Sequence, residues 1–327
     1  MATANTPMRG LFKKLDSAGI PPAFAKKMLP AWWEDEVASD PAGLQQAQLY
    51  LSRAFNIELQ SLADEGSPPA FRASLRKFKL SRNVSEDTVS VSANYATGIS
   101  RLALQAYRLE QKQVPVNPSD LRKVILVKHQ CVSLISLLEW CISAGIPVLH
   151  IEKLPGKKMT GLVVRDGGRF AIVLSKRGHP AHLLFHLAHE LGHIAKNHLA
   201  QDGFVADEKI DSSSGDADEK EADAYAICLL NGSDIRYRAG GVIKSGHVLH
   251  KAAVAKGKEM RVDAGHIIAN FGHNQDRYAM AAIALADLGE PSQGNAVING
   301  AFFRAIDRDL VSEDQLDLLK VATGYTD

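Results

Sequence analysis

The stretch HLLFHLAHELGHIAKNHL (residues 182–199) carries two histidines four positions apart, His189 and His193, with Glu190 beside the first. Apolar residues recur around them at helical spacing, which predicts an amphipathic helix. Positions four apart lie on one helix face about one turn apart, so the two imidazoles can hold one metal ion. Glu190 then projects beside that ion, close enough to act on a metal-bound water.

A second helix downstream supplies carboxylates that can complete this metal site. Residues 218–226 read DEKEADAYA, in which Glu219 and Asp223 are four apart and share a helix face. One of them can bind the metal while the other accepts the outward N–H of a ligating histidine. Glu221 faces elsewhere on a regular helix and is the reserve ligand. A catalytic zinc ion with three protein ligands keeps its fourth position open.

These two helices resemble those of the ImmA/IrrE family of zinc metallo-endopeptidases. The resemblance rests on GRFAIVLSKRGHPAHLLFHLAHELGHIAKNH (168–198) followed by EKEADAYAICLL (219–230), and it extends over roughly residues 119–285. It implies an α+β fold with a reduced zincin-like domain, in which a small twisted sheet is backed by an active-site helix and a glutamate helix.

The resemblance also implies roles for individual residues. By that match His189, His193 and Glu219 correspond to zinc ligands and Glu190 to the catalytic base, which leaves Asp223 to orient a histidine. The implied activity is an intracellular endopeptidase of narrow specificity. Its implied protein substrate is a helix-turn-helix repressor or an antitoxin, in stress-response, mobile-element, anti-phage or toxin–antitoxin regulation.

Two features depart from the family pattern. Family members often follow the double leucine with Met-Pro, whereas this chain has Asn231-Gly232. The step from His193 to Glu219 also contains an acidic stretch, since residues 202–223 hold nine acids and two lysines, a net charge of −7. Neither departure removes a ligand.

Strand patterns precede the histidine helix at residues 147–151, 159–164 and 169–174. The last two flank Asp166-Gly167-Gly168, a tight hairpin turn. We expect residues 169–174 to form an exposed sheet edge, along which a peptide substrate binds as an added strand.

The proline-containing segment that ends at residue 117 is expected to divide the chain into two domains. Residues 1–117 form an all-helical N-terminal domain with a long helix over 89–111. Residues 118–327 form the zincin-like domain, which begins with a helix over 120–143 and has a helical C-terminal part.

The N-terminal part admits two interpretations. Residues 44–62 (LQQAQLYLSRAFNIELQSL) have the rhythm of helix, turn and helix, which fits a DNA-reading module or a partner-docking bundle. A basic run follows and could contact phosphate or serve as a solvated connector: Arg72, Arg76, Lys77, Lys79 and Arg82. The alternative function is therefore a DNA-associated transcriptional regulator with a structural or vestigial zinc site. Against it, residues 1–83 carry 11 basic and 8 acidic residues, a net charge of only +3.

Composition places the chain among ordinary globular proteins. Of its 327 residues 46% are apolar, and the net charge is +1, which excludes dominant disorder. Three cysteines are too few for a disulfide scaffold, and no apolar stretch is long enough to span a membrane. We expect a protein of the reducing cytoplasm.

Other polar residues have competing interpretations. His182 and His186 continue the histidine stripe and fit a second metal, a proton relay or simply a cleft wall. His198 is interpreted as a polar helix end, and Cys228 as a packed core thiol. No spacing rule chooses among the candidates for stabilising an oxyanion: Tyr225, His247, His250, His266 and His273.

Overall fold

The residues that the computed structural model describes contain a five-stranded mixed sheet and fourteen α-helices. These residues are 7–64, 66–79, 86–207, 216–238, 243–289 and 293–326. The α+β fold class is thereby confirmed. The middle of the acidic stretch (208–215) and Arg82 of the basic run lie outside the described residues.

Helices dominate the N-terminal part. They are α1 (Pro7–Ser17), α2 (Pro22–Lys26), α3 (Pro41–Phe55), α4 (Leu59–Ala63) and α5 (Glu86–Gln105). Proline begins several of them, since its fixed φ suits the first turn and the missing N–H costs nothing there. The predicted long helix therefore exists, although it begins and ends a few residues earlier than expected.

The sheet has the strand order β1-β5-β3-β4-β2. Its strands are β1 (Leu75–Lys79), β2 (Val148–His150), β3 (Gly161–Asp166), β4 (Arg169–Leu174) and β5 (Gly203–Asp207). β3 runs antiparallel to both β4 and β5, whereas β1 pairs with β5 and β2 with β4 in parallel. Gly167 and Gly168 both have positive φ between β3 and β4, which confirms the predicted tight turn.

The expectation of an all-helical N-terminal part is wrong because β1 lies within it. Phe78 packs edge-to-face on Phe204 of β5, with ring centroids 5.3 Å apart. Lys77 donates to the carbonyl of His198 at 2.7 Å and lies 3.6 Å from the Asp218 carboxylate. Lys77 of the basic run therefore makes its polar contacts within the molecule.

The expected sheet edge at residues 169–174 is also wrong. β2 covers the second half of β4, with Val148 opposite Ile172 and His150 opposite Leu174. The short, fully buried β2 is itself the edge on this side, and β1 is the edge on the other. A substrate strand cannot pair with residues that already have a neighbour on each side.

The expected helix over 120–143 is two helices, α6 (Pro118–Leu126) and α7 (Leu134–Ser143). Ser133 starts α7 through a capping box with Ser136, so the chain breaks before it. Asn117 caps α6 by accepting from the N–H of Ser119. The remaining helices are α8 (Pro180–Ala195), α9 (Ala217–Asn231), α10 (Gly246–Met260), α11 (Ala264–Asn274), α12 (Tyr278–Ala286), α13 (Gly294–Ala305) and α14 (Glu313–Thr323). None of the helices in the described residues is both long and apolar enough to cross a membrane.

The two faces of the sheet contribute to different hydrophobic cores. Leu162 and Phe204 pack with the N-terminal helices and with residues of α13 and α14. Val163 and Val205 pack on the opposite face with α7, α8 and α9. This alternation decides which strand residues meet the histidine helix. The first core joins residues from both sides of position 117, and the domain boundary there stays a prediction.

Candidate metal centre

Helix α8 carries the histidine pair into the protein interior. Pro180 occupies its first turn and His179 caps it by accepting from the N–H of Ala181. Its leucines pack against the sheet and α7, and this packing leaves His189, Glu190 and His193 almost completely buried. The local sequence thus forms a helix in which His189, Glu190 and His193 are shielded from water in this conformation.

Gly192, inside the histidine motif, allows α9 to approach α8 closely. A Cβ at this position would lie 2.9 Å from the Cα and the carbonyl oxygen of Ala222, and 3.2 Å from the Cβ of Tyr225. Such distances are far below normal packing, so only glycine is accommodated without movement. The close crossing brings the first turns of α9 against the histidines.

Glu219 of α9 reaches both imidazoles. Nε2 of His189 lies 3.4 Å from Oε2 of Glu219, and Nε2 of His193 lies 3.4 Å from its Oε1. The two Nε2 atoms face each other at 3.1 Å. The three residues predicted as ligands therefore converge on one point.

Asp207, at the end of β5, joins the same cluster and was not among the predicted ligands. Its Oδ2 lies 3.4 Å from Nε2 of His189 and 3.5 Å from Nε2 of His193. The alternation of β5 explains its position: Phe204 and Ala206 face the N-terminal helices, so Val205 and Asp207 face α8. The alternation would have revealed it had β5 been recognised in the sequence.

The donor set fits a metal ion. One ligand atom from each of His189, His193, Asp207 and Glu219 lies within 4.8 Å of all the others. Ligand atoms bound tetrahedrally at zinc-like distances are about 3.3 Å apart, close to the separations found here. Both oxygens of Asp207 and Oε1 of Glu219 are buried without a hydrogen-bond partner among the described residues. Buried carboxylates are costly unless a cation compensates them, so these unpaired atoms favour a bound cation.

A second layer of polar groups holds the imidazoles. Oδ1 of Asp223 lies 2.9 Å from Nδ1 of His189, the place that the spacing predicts for it. Nδ1 of His193 lies 2.9 Å from Nδ1 of His198, whose Nε2 is 3.3 Å from Glu221. With Nε2 of each histidine turned to the centre of the cluster, Nδ1 is left to donate outward. The reserve ligand Glu221 therefore contacts His198 and does not reach the cluster.

His198 differs from its sequence interpretation as a polar helix end. The chain turns back after α8 at Asn197, which has a positive φ, and this turn buries the His198 ring beside His193. Its position depends on that turn rather than on helical spacing. The helix periodicity places His198 off the metal face and gives no signal for the contact.

Glu190 lies beside the cluster in a space that Gly161 leaves open. A Cβ at Gly161 would lie 1.7 Å from Oε1 of Glu190, so any side chain there would displace the carboxyl group. Both oxygens of Glu190 are buried without a hydrogen-bond partner among the described residues. Burial, reinforced by the neighbouring Asp207 carboxylate, raises the pKa of Glu190 well above its ordinary value. A carboxyl with a raised pKa beside a cation site can accept and return a proton.

The other polar candidates lie outside the metal cluster. The hydroxyl of Tyr225 donates to the carbonyl of Pro115 at 2.9 Å within the core, and His247 contacts Asp287 at the surface.

A cavity of about 700 Å³ lies beside the metal centre, and its wall includes Asp223, Phe185, His182, His186, His266 and His273. His182 and His186 thus line a cavity. Within the described residues one potential metal cluster is found, and it excludes both of them.

Comparison of the chain with protein-family models, curated proteins and solved structures gives no match. The resemblance to ImmA/IrrE proteins therefore remains one of motifs.

Proposed function

We propose that this chain is a zinc-dependent hydrolase, an endopeptidase of narrow specificity. The observation that carries the proposal is the convergence of His189, His193 and Glu219 on one point with the Glu190 carboxyl beside it. Nitrogen and oxygen donors at tetrahedral separations suit zinc among the common biological cations. The adjacent glutamate distinguishes a hydrolytic arrangement from a purely structural one.

The mechanism assigns one task to each group of residues. His189, His193 and Glu219 would hold the ion, which supplies Lewis-acid polarisation of the scissile carbonyl. Glu190 takes the proton of the attacking water and delivers it to the leaving amine. Asp223 and His198 keep the imidazoles in the tautomer that presents Nε2 to the ion.

For the substrate we propose a cytoplasmic protein, a helix-turn-helix repressor or an antitoxin, as the motif resemblance implies. The helices of residues 7–63 then serve to select that partner. Trp32 on this part is half exposed, and its indole donates to Asp314 of α14 at 3.0 Å.

Two observations weigh against the alternative of a DNA-associated regulator. Helix α4, the second helix of the helix–turn–helix pattern, has five residues, so it is only about 7 to 8 Å long and presents little to a major groove. Lys77 of the basic run already donates to the His198 carbonyl and pairs with the Asp218 carboxylate, contacts that compete with a DNA phosphate. DNA binding by the N-terminal part stays a prediction.

The first test measures zinc per chain by elemental mass spectrometry on protein purified without chelator or metal-affinity tag. We expect about one zinc per chain, and its loss in His189→Ala, because two imidazoles anchor the ion. Absence of zinc from a folded protein that also fails to take it up would refute the proposal.

The second test is Glu190→Gln. The variant should retain zinc and fold but lose cleavage by about 100-fold or more, since the amide cannot take a proton. Purified protein is added to a cell lysate, and new protein N-termini are identified by mass spectrometry. Glu139→Gln, at an exposed glutamate that pairs with His129, is the matched control and should cleave normally. New N-termini that appear at the same rate with wild type and with Glu190→Gln would contradict the assigned base.

A further inference from the structure

We propose that Asp207 is a fourth protein ligand that closes the metal's coordination shell, so the conformation described here is a latent form of the enzyme. The inference rests on the proposed zinc hydrolase function. It adds a residue that the two-helix motif does not contain, and it assigns that residue a role in regulation.

The position of Asp207 is fixed by the sheet. Asp207 is the last residue of β5 and pairs with Gly161 of β3 on one side and Lys79 of β1 on the other. The N–H of Thr160 donates to its carbonyl at 2.6 Å. The backbone is thus held from both neighbours, and the alternation of β5 points the carboxylate at the histidines. Its approach to the ligand atoms is a property of the sheet register.

With Asp207 included, the donor set has the number of ligands and the total charge that a four-coordinate zinc ion requires. Two neutral imidazoles and two carboxylates give four ligands, and the two negative charges cancel those of a divalent zinc ion. Zinc sites with four protein ligands are closed, whereas catalytic sites keep one position for water or substrate. With Asp207 bound, a tetrahedral zinc ion has no position left for water.

Glu190 shows that this closed arrangement is not simply a structural zinc site. A structural site requires its ligands and their hydrogen-bond partners, but it has no use for a further buried carboxyl. Here Glu190 is fully buried, without a hydrogen-bond partner among the described residues, in a space kept open by Gly161. A general base is therefore in place while the water position is blocked. Activation requires the Asp207 carboxylate to withdraw from the ion.

The experiment uses the full chain with zinc replaced by cobalt(II), whose visible spectrum reports coordination. Acetohydroxamate, a chelator that needs open positions on the metal, is titrated into wild type, Asp207→Asn and Asp207→Ala. We expect the wild-type spectrum to stay unchanged and both variants to change on titration. Zinc affinity should also fall by at least about 10-fold in Asp207→Ala, the loss typical of outer-shell partners alone. Asp202→Asn, an exposed carboxylate just before β5, is the matched control and should behave as wild type.

The outcomes separate the two proposals. A wild-type cobalt spectrum that responds to acetohydroxamate would overturn the closed shell, even if both variants fail to fold. Unchanged zinc affinity in a folded Asp207→Ala protein would likewise overturn Asp207 as a ligand, while the hydrolase proposal stands. Failure of the wild-type chain to bind either metal would instead refute the zinc hydrolase itself.

Discussion

His198 connects a predicted ligand to the acidic face of α9. Nδ1 of His198 lies 2.9 Å from Nδ1 of His193, and its Nε2 lies 3.3 Å from Glu221. A His193 that turns Nε2 to the cluster donates from Nδ1 to His198, so His198 would set the tautomer of His193 without being a ligand. We expect His198→Ala to weaken zinc binding by about 10- to 100-fold, the usual loss for such partners. Competition with a chromogenic chelator measures the affinity.

The control for this prediction is His247→Ala, at an exposed histidine that contacts Asp287. It should leave zinc affinity unchanged. His198→Asn, which retains a polar group able to accept a hydrogen bond, should recover part of the affinity. Equal affinities in wild type and His198→Ala would show that His193 needs no partner at Nδ1.

Helical spacing predicted those site residues that share a helix, and it failed for those that do not. His189 and His193 are one turn apart on α8, and Glu219 and Asp223 are one turn apart on α9, as expected from sequence. Asp207 reaches the site from a strand end and belongs to no helical pattern. A residue that is positioned by sheet register or by a chain reversal belongs to no helical periodicity, so the sequence pattern does not predict its place in the site.

The crossing of α8 and α9 depends on Gly192. Gly192→Ala introduces a Cβ at 2.9 Å from the Ala222 backbone, so α9 has to move outward and carry Glu219 with it. We expect a loss of about 1–3 kcal/mol in the free energy of unfolding, the usual cost of overpacking, together with weaker zinc binding. Urea unfolding and chelator competition measure the two effects.

Gly10→Ala is the control for the helix crossing, because a Cβ there would meet nothing within 4 Å. It should be neutral or stabilise by up to about 1 kcal/mol through helix propensity. A Gly192→Ala protein as stable as wild type, with unchanged zinc affinity, would mean that the crossing accommodates a methyl group.

Elements built from local contacts were predicted better than those built from distant ones. β4 has the expected bounds, and both metal-site helices were foreseen. β1 and β5 were missed because each is short, and the pairing of Leu75 with Gly203 joins residues far apart in the chain. The basic side chains of β1 are also typical of a solvated connector. In the structure, however, Phe78 of the same strand packs on Phe204. Strand pairing over such distances is decided by packing rather than by propensity.

Histidines with lowered pKa values outside the metal cluster are expected to make the whole molecule less stable in acid. Burial lowers the pKa of His266 to about 4 and that of His186 to about 3, and it also lowers the pKa of His150. A lowered folded-state pKa contributes stability above the unfolded value of about 6.5, and this stability is lost as the pH falls. The free energy of unfolding should therefore decrease between pH 6.5 and about 4.

His266→Phe tests this prediction, because His266 stacks on Phe185 and a phenyl ring can take its place. The variant should lose less stability than wild type between pH 7 and pH 4, by about 3 kcal/mol at most, because burial lowers the pKa of His266 from its ordinary value to about 4. Urea unfolding at each pH measures the difference. The comparison at pH 8 isolates the packing change, and parallel pH profiles would contradict the prediction.

At the scale of the whole molecule, one hydrophobic core joins residues from both sides of position 117. The proline-containing segment near residue 117 predicts a boundary, yet one core contains Tyr95, Leu162 and Phe302. Composition and local breaks reveal where a chain changes direction. They do not reveal which faces of distant elements cover each other, because that depends on the three-dimensional arrangement.

The burial of the proposed metal ligands has a consequence for the rate at which an ion enters or leaves the site. His189, His193, Asp207 and Glu219 are all nearly inaccessible to solvent, so an ion cannot enter or leave without local opening of the fold. Its residence time is then set by the opening rate of the protein rather than by the strength of the coordinate bonds. Exchange of zinc by the folded protein should therefore be slow, and its occupancy would follow the free zinc level only on the timescale of that opening.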